Sequence, residues 1–114
     1  RVELRCPDPA ANPYLVLAAC LEAGLDGIRN QITPPDAVTE NVFEMQLQQR
    51  AKLGIESLPG DLEQAVEELE KDDYIKNVLG GHITEKYLEA KRAEWADYRA
   101  QVTEWEIEKY LYKI

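Results

Sequence analysis

The chain has 114 residues, 45% of them hydrophobic, with 13 Lys and Arg against 22 Asp and Glu, a formal net charge of −9. That length allows one domain at most, and the apolar share, with six Tyr and two Trp, excludes general disorder. The negative charge argues against a nucleic-acid partner, because binding a phosphate backbone needs a basic face.

The opening residues alternate. Arg1, Glu3 and Arg5 fall on one face of an extended segment, Val2 and Leu4 on the other, so residues 1–6 are predicted to form a strand. Pro7 and Pro9 end it, since neither can donate to a ladder. A lone strand at the start of a chain lacks partners, which is the first sign of a piece of a larger fold. A helix follows, with Asn12 as N-cap and Pro13 at the first helical position. Every residue from Tyr14 to Leu21 is apolar, and Leu25 and Ile28 continue the pattern. A helix apolar nearly all round is expected to be buried on most sides. Residues 30–41, with Pro34 and Pro35, read as a loop, and Glu44 to Leu53 is compatible with a short helix.

Ser57 to Gly60 is a turn, and Asp61 with Gln64 resembles a capping box. Behind it Leu62, Ala65, Val66 and Leu69 form the apolar stripe of an amphipathic helix. Asp61 to Asp73 holds seven acidic residues and one Lys, which reads as a solvated helix face. A short helix from Asp73 to Leu79 stops at Gly80-Gly81. Thr84 is placed to cap the longest helix, running to about Val102, with an inward stripe of Ile83, Tyr87, Lys91, Trp95, Tyr98 and Val102. Thr103 and Glu106 form a second capping box, opening a terminal helix that carries Trp105, Ile107, Tyr110, Leu111 and Ile114. The expected fold is therefore mainly α: one N-terminal strand followed by about five helices, with no internal repeat.

Few residues carry chemistry. There is no G-x-G-x-x-G and no P-loop. His82 is the only histidine and reads as a loop or helix-start residue, so His-based metal sites and triads are not expected. Cys6 and Cys20 do not make a disulfide framework and read as buried free thiols of a reducing compartment. The opening Arg-Val-Glu-Leu-Arg is not a signal peptide, and no apolar run approaches the roughly 18 residues of a membrane span; the cytoplasm is the expected location. What remains is Arg1-x-Glu3-x-Arg5. Strand residues two apart stand about 6.6 Å apart on one face. A carboxylate offers hard oxygen to Mg²⁺ or Mn²⁺, and guanidinium forks bind carboxylate or phosphate oxygens. Together these suit phosphoryl transfer onto an acid. On spacing alone, an exposed strand face of cross-paired charges is the simpler reading.

The stretch from Arg1 to Leu15, followed by Ala23-Gly-Leu-Asp-Gly-Ile28, resembles the C-terminal region of type I glutamine synthetases. That family's pattern is R-[IV]-E-x-R, then P-D-x-x-x-N-P-Y-L, then A-G-L-D-G-I, in this order and spacing. Ser57-Leu-Pro-Gly-Asp-Leu-Glu63 and the Trp95, Tyr98, Arg99 helix before Thr103-Glu-Trp-Glu106 extend the likeness over the whole chain. The resemblance implies a parent enzyme that joins glutamate and ammonia at the expense of ATP, through a γ-glutamyl phosphate, with Mg²⁺ or Mn²⁺. It implies a metal-ligand role for Glu3, glutamate binding for Arg5 and a position near the phosphates for Arg1, with no catalytic acid or base in this chain. It also implies a double hexameric ring in which residues 103–114 form an oligomerisation helix, residues 1–6 an active-site strand and residues 12–102 a helical scaffold. Alone, the 114 residues are expected to be inactive, because the other metal and nucleotide ligands of the family lie upstream. Phe43 stands where some bacterial members carry an adenylylated Tyr, so that control is expected to be absent. Pro7-Asp8 favours a true synthetase over a glutamate–amine ligase of the same family. A free-standing helical interaction module is the further alternative.

Overall fold

The computed structural model describes residues 3–111 and 113. Helix α1 spans Pro13–Arg29, α2 Leu47–Lys52, α3 Leu62–Lys71, α4 Asp73–Leu79, α5 Gly81–Arg99 and α6 Glu104–Glu106, followed by a π-helical turn over Ile107–Leu111. No strand occurs among the described residues. The expected N-terminal strand is thus corrected over Glu3 to Cys6: among the described residues no second segment pairs with it to supply a ladder, and a strand needs one. Arg1 and Val2, which the strand would include, lie outside the described residues.

Local rules explain most helix ends. The Asn12 Oδ1 accepts from the backbone N–H groups of Tyr14 and Leu15 at 3.0 and 3.3 Å, with Pro13 at the first helical position. Helix α1 closes in a Schellman motif: the Ile32 N–H donates to Gly27 O at 2.9 Å and the Gln31 N–H to Ile28 O at 3.3 Å. The residue in the left-handed conformation there is Gln31, at φ 52°. Helix α2 closes the same way, with Ile55 bonded to Arg50 and Gly54 to Ala51 at 2.9 and 3.2 Å, around Gly54 at φ 65°. At α3 the Asp61 Oδ1 accepts from Gln64 N–H at 2.8 Å, but the Gln64 Oε1 accepts from Gly60 N–H rather than from Asp61 N–H, while its Nε2 donates to Asp61 Oδ2 at 3.1 Å. The expected capping box is therefore half made, its second bond shifted one residue.

Helix α4 is the hub of the packing, touching α1, α3 and α5, while α3 also lies against α5. The acidic stretch over α3 is solvated as expected, and Leu62, Val66 and Leu69 turn inward from it. On α5 the packed stripe is Thr84, Leu88, Lys91 and Trp95; Tyr98 and Val102 are exposed. Thr84 does not cap α5. The helix starts three residues earlier at Gly81, and the buried Thr84 hydroxyl donates to Lys76 O on α4 at 3.2 Å. The left-handed Gly80, φ 79°, lets the chain reverse tightly enough to begin the helix early. Tyr74 of α4 donates its hydroxyl to Glu22 O of α1 at 2.8 Å.

The core is small. Met45 and Val66 are the buried apolar residues among those described, and no residue of α1 is buried. The expectation that α1 is covered on most sides is not met: one flank meets α4, while Tyr14, Leu17, Leu21 and Ile28 face outward. Cys6 and Cys20 are free and exposed rather than buried. Cys20 follows inward Ala19 and so turns to the open side of α1. The accessible surface of 10339 Å² far exceeds the about 6,300 Å² of a compact monomer of this mass. The radius of gyration, 18.4 Å, compares with about 13 Å for a compact domain of similar length. No helix among the described residues is long and apolar enough to cross a membrane.

The terminal helix is also shorter than expected. The Thr103–Glu106 capping box forms in full: Glu106 N–H donates to Thr103 Oγ1 at 3.2 Å, and Thr103 N–H to Glu106 Oε2 at 2.8 Å. After three residues the helix widens into the π turn. Among the described residues the two pack on each other and on no other helix, and an isolated helix this short is marginal in water. Ile114, assigned to its apolar face from sequence, lies outside the described residues.

Candidate functional site

Of the expected site residues, the structure brings Glu3 and Arg5 together. They project from the same side of the segment, with Arg5 Nε donating to Glu3 Oε1 at 2.6 Å. Both are open to solvent, the Arg5 side chain at 84% exposure. An exposed pair of this kind adds little stability, and its groups are free to exchange one partner for another. Arg1 lies outside the described residues.

The segment then turns. Asp8 Oδ1 accepts from Ala10 N–H at 2.7 Å and Asp8 O from Ala11 N–H at 2.9 Å, an Asx turn around Pro9 that delivers the chain to the Asn12 cap. Sequence reasoning missed what this turn faces. A cleft of about 590 Å³ opens between it and the helices, lined by Cys6 and Asp8 on one side and by Tyr87, Lys91 and Glu94 of α5 on the other. Lys91 donates to Glu94 Oε2 at 2.6 Å and lies 5.8 Å from the centre of the Tyr87 ring. The Glu94 hydrogen bond lifts the Lys91 ammonium above the usual lysine range; partial burial opposes this, and the charges of Glu94, Tyr87 and Asp8 assist it. A charged residue within an otherwise apolar stripe was the signal that could have found it.

Phe43 tops a second turn. Asn41 Oδ1 accepts from Phe43 N–H and Asn41 O from Glu44 N–H, both at 3.1 Å, and the Phe43 ring is 93% exposed. His82 lies in the first turn of α5, as expected of a helix-start residue. Between α3 and α5, Arg92 bonds Glu70 across a smaller cleft that Trp95 also lines. Among the described residues no three His, Cys, Asp or Glu side chains gather closely enough to hold a metal. Glu3 fits such a site as one hard oxygen donor of several, and the remaining donors would have to come from outside these residues.

The pattern of the family described as "Glutamine synthetase, catalytic domain" matches residues 1–110. The chain is 54% identical over 112 residues to the glutamine synthetase of Thermotoga maritima, covering 98% of this chain and 26% of the relative. It is 51% identical over 113 residues to that of Clostridium saccharobutylicum, covering 99% and 26%. Against that of Methanocaldococcus jannaschii it is 51% identical over 111 residues, covering 97% and 24%. The chain thus spans about a quarter of the length of the relatives it matches. A solved structure described as "Apo GmaS without ligand" superposes with a TM-score of 0.79 at 42% identity, over 95% of this chain and 24% of that one. The same-side Glu3 and Arg5, the Asx turn at Asp8 and the Asn12 cap therefore sit in a chain that belongs to the glutamine synthetase family, within its catalytic domain.

Proposed function

We propose that this chain forms the C-terminal part of a glutamine synthetase, an ATP-dependent ligase that makes glutamine from glutamate and ammonia through a γ-glutamyl phosphate. The observation that carries the reading is the Glu3–Arg5 pair, projecting from one side of an exposed segment within a sequence about half identical to named synthetases. In this reading Glu3 would leave its contact with Arg5 to help hold a divalent cation, Mg²⁺ or Mn²⁺, whose charge would offset that of phosphate. Arg5, released, presents its fork to the glutamate carboxylate, where two parallel N–H donors fix orientation. Arg1 lies towards the phosphates. Keeping Pro7-Asp8 favours ammonia over a larger amine as acceptor, and Phe43, lacking a hydroxyl, leaves no acceptor for adenylylation. The enzyme is assigned to the cytoplasm.

Residues 103–114 are assigned to assembly of a double hexameric ring. Support comes from Trp105, Tyr110 and Leu111, all exposed on a segment that, among the described residues, packs on no other helix. The test of function uses the whole enzyme that carries this chain. Glu3→Gln is expected to raise the half-saturating metal concentration at least about tenfold, and Arg5→Lys to raise the glutamate KM similarly, the scale of one charged hydrogen bond. Wild-type metal and glutamate titrations in both variants would overturn the assignment.

A further inference from the structure

We draw no further inference here: the strongest candidate, the outward apolar face of α1 formed by Tyr14, Leu17, Leu21 and Ile28, carries nothing, because nothing in the structure shows what covers it.

Discussion

The α3–α5 cluster and the C-terminal turn are made of the same ingredients and end differently. Each opens on a side-chain cap, Asp61 in one and Thr103 in the other. Each carries apolar residues at helical spacing. In the cluster, Val66 is buried, the Thr84 hydroxyl reaches the α4 backbone, and Trp95 packs beside the Arg92–Glu70 pair. In the turn, Trp105 and Tyr110 find only each other, edge to face at 5.9 Å between ring centres. The difference is tertiary: a cap and an apolar stripe start a helix, but only a packed neighbour extends and fixes it.

The largest effect that would break this contrast is a charge placed in the cluster. Val66→Asp buries an unpaired carboxylate between α3 and α5, and the cost is expected to reach about 3–5 kcal/mol. Thermal melting followed by circular dichroism should show the helices of the cluster lost together. The equivalent change in the turn, Ile107→Asp, is expected to leave that melting curve within about 0.5 kcal/mol of the parent. Equal losses from the two changes would mean that the turn packs on the cluster after all.

Smaller and more local is Thr84→Val. It keeps the shape and removes the donor to Lys76 O, so stability should fall by about 1 kcal/mol. The Lys76 ammonium also donates to Glu70 O of α3 at 2.6 Å, a tie that should hold α4 in place. A midpoint unchanged within error would assign the α4–α5 contact to apolar packing alone.

Which parts were legible in the sequence follows the same line. Asn12, Asp61 and Thr103 announced their helices because a cap acts through residues two or three away. The stripe on α3 was readable for the same reason. The start of the α5 stripe was read one position off, Ile83 and Tyr87 for Thr84 and Leu88, while Lys91 and Trp95 were read correctly; only the position of α4 selects Thr84. The strand over residues 1–6 was inferred from alternation, which describes faces but supplies no ladder. At the site, the sequence suggested that Glu3 and Arg5 share a face, and the structure brings them together; the specific roles came from resemblance, not from geometry. Lys91 was read only as part of the α5 stripe; the cleft it lines with Asp8 went unnoticed because it joins residues some eighty positions apart, a relation that no local pattern carries.

A helix end sharpens the comparison further. Helices α1 and α2 close with the same Schellman bonds, yet one uses Gln31 and the other Gly54 in the left-handed conformation. A side chain there costs roughly 1 kcal/mol, offset in part by the greater freedom glycine has when unfolded. Gln31→Gly is therefore expected to stabilise the α1 end by about 0.5–1 kcal/mol, and Gly54→Ala to destabilise α2 by about 1 kcal/mol. Hydrogen exchange at the Ile32 and Ile55 amides measures each closure separately. Destabilisation by Gln31→Gly, or stabilisation by Gly54→Ala, would show that bonding and not backbone strain limits the closure.

The smallest expected effect is confined to the turn and concerns pH. The hydrogen bonds from the Thr103 backbone N–H and hydroxyl hold the Glu106 carboxyl below its ordinary value of 4.5. A carboxylate depressed by folding contributes its stabilisation above the unfolded value and loses it as pH falls through the folded one. The capping box should therefore be intact at neutral pH, begin to weaken below about 4.5 and be weakest at more acid pH, once Glu106 takes up a proton and its neutral carboxyl accepts from the Thr103 N–H less strongly. Trp105 sits between the two capping residues, so its fluorescence reports the change, with Trp95→Phe removing the other indole. Glu106→Gln should flatten that acid transition while retaining a neutral acceptor for the cap. The α3–α5 cluster also loses acid-sensitive contacts, because the Lys76 hydrogen bond depresses Asp73 as well, but α4 stays anchored there by Thr84 and by its packing. If Trp105 fluorescence and helical ellipticity change together through the same acid window, the turn and the cluster unfold as one unit, and the division between them does not hold.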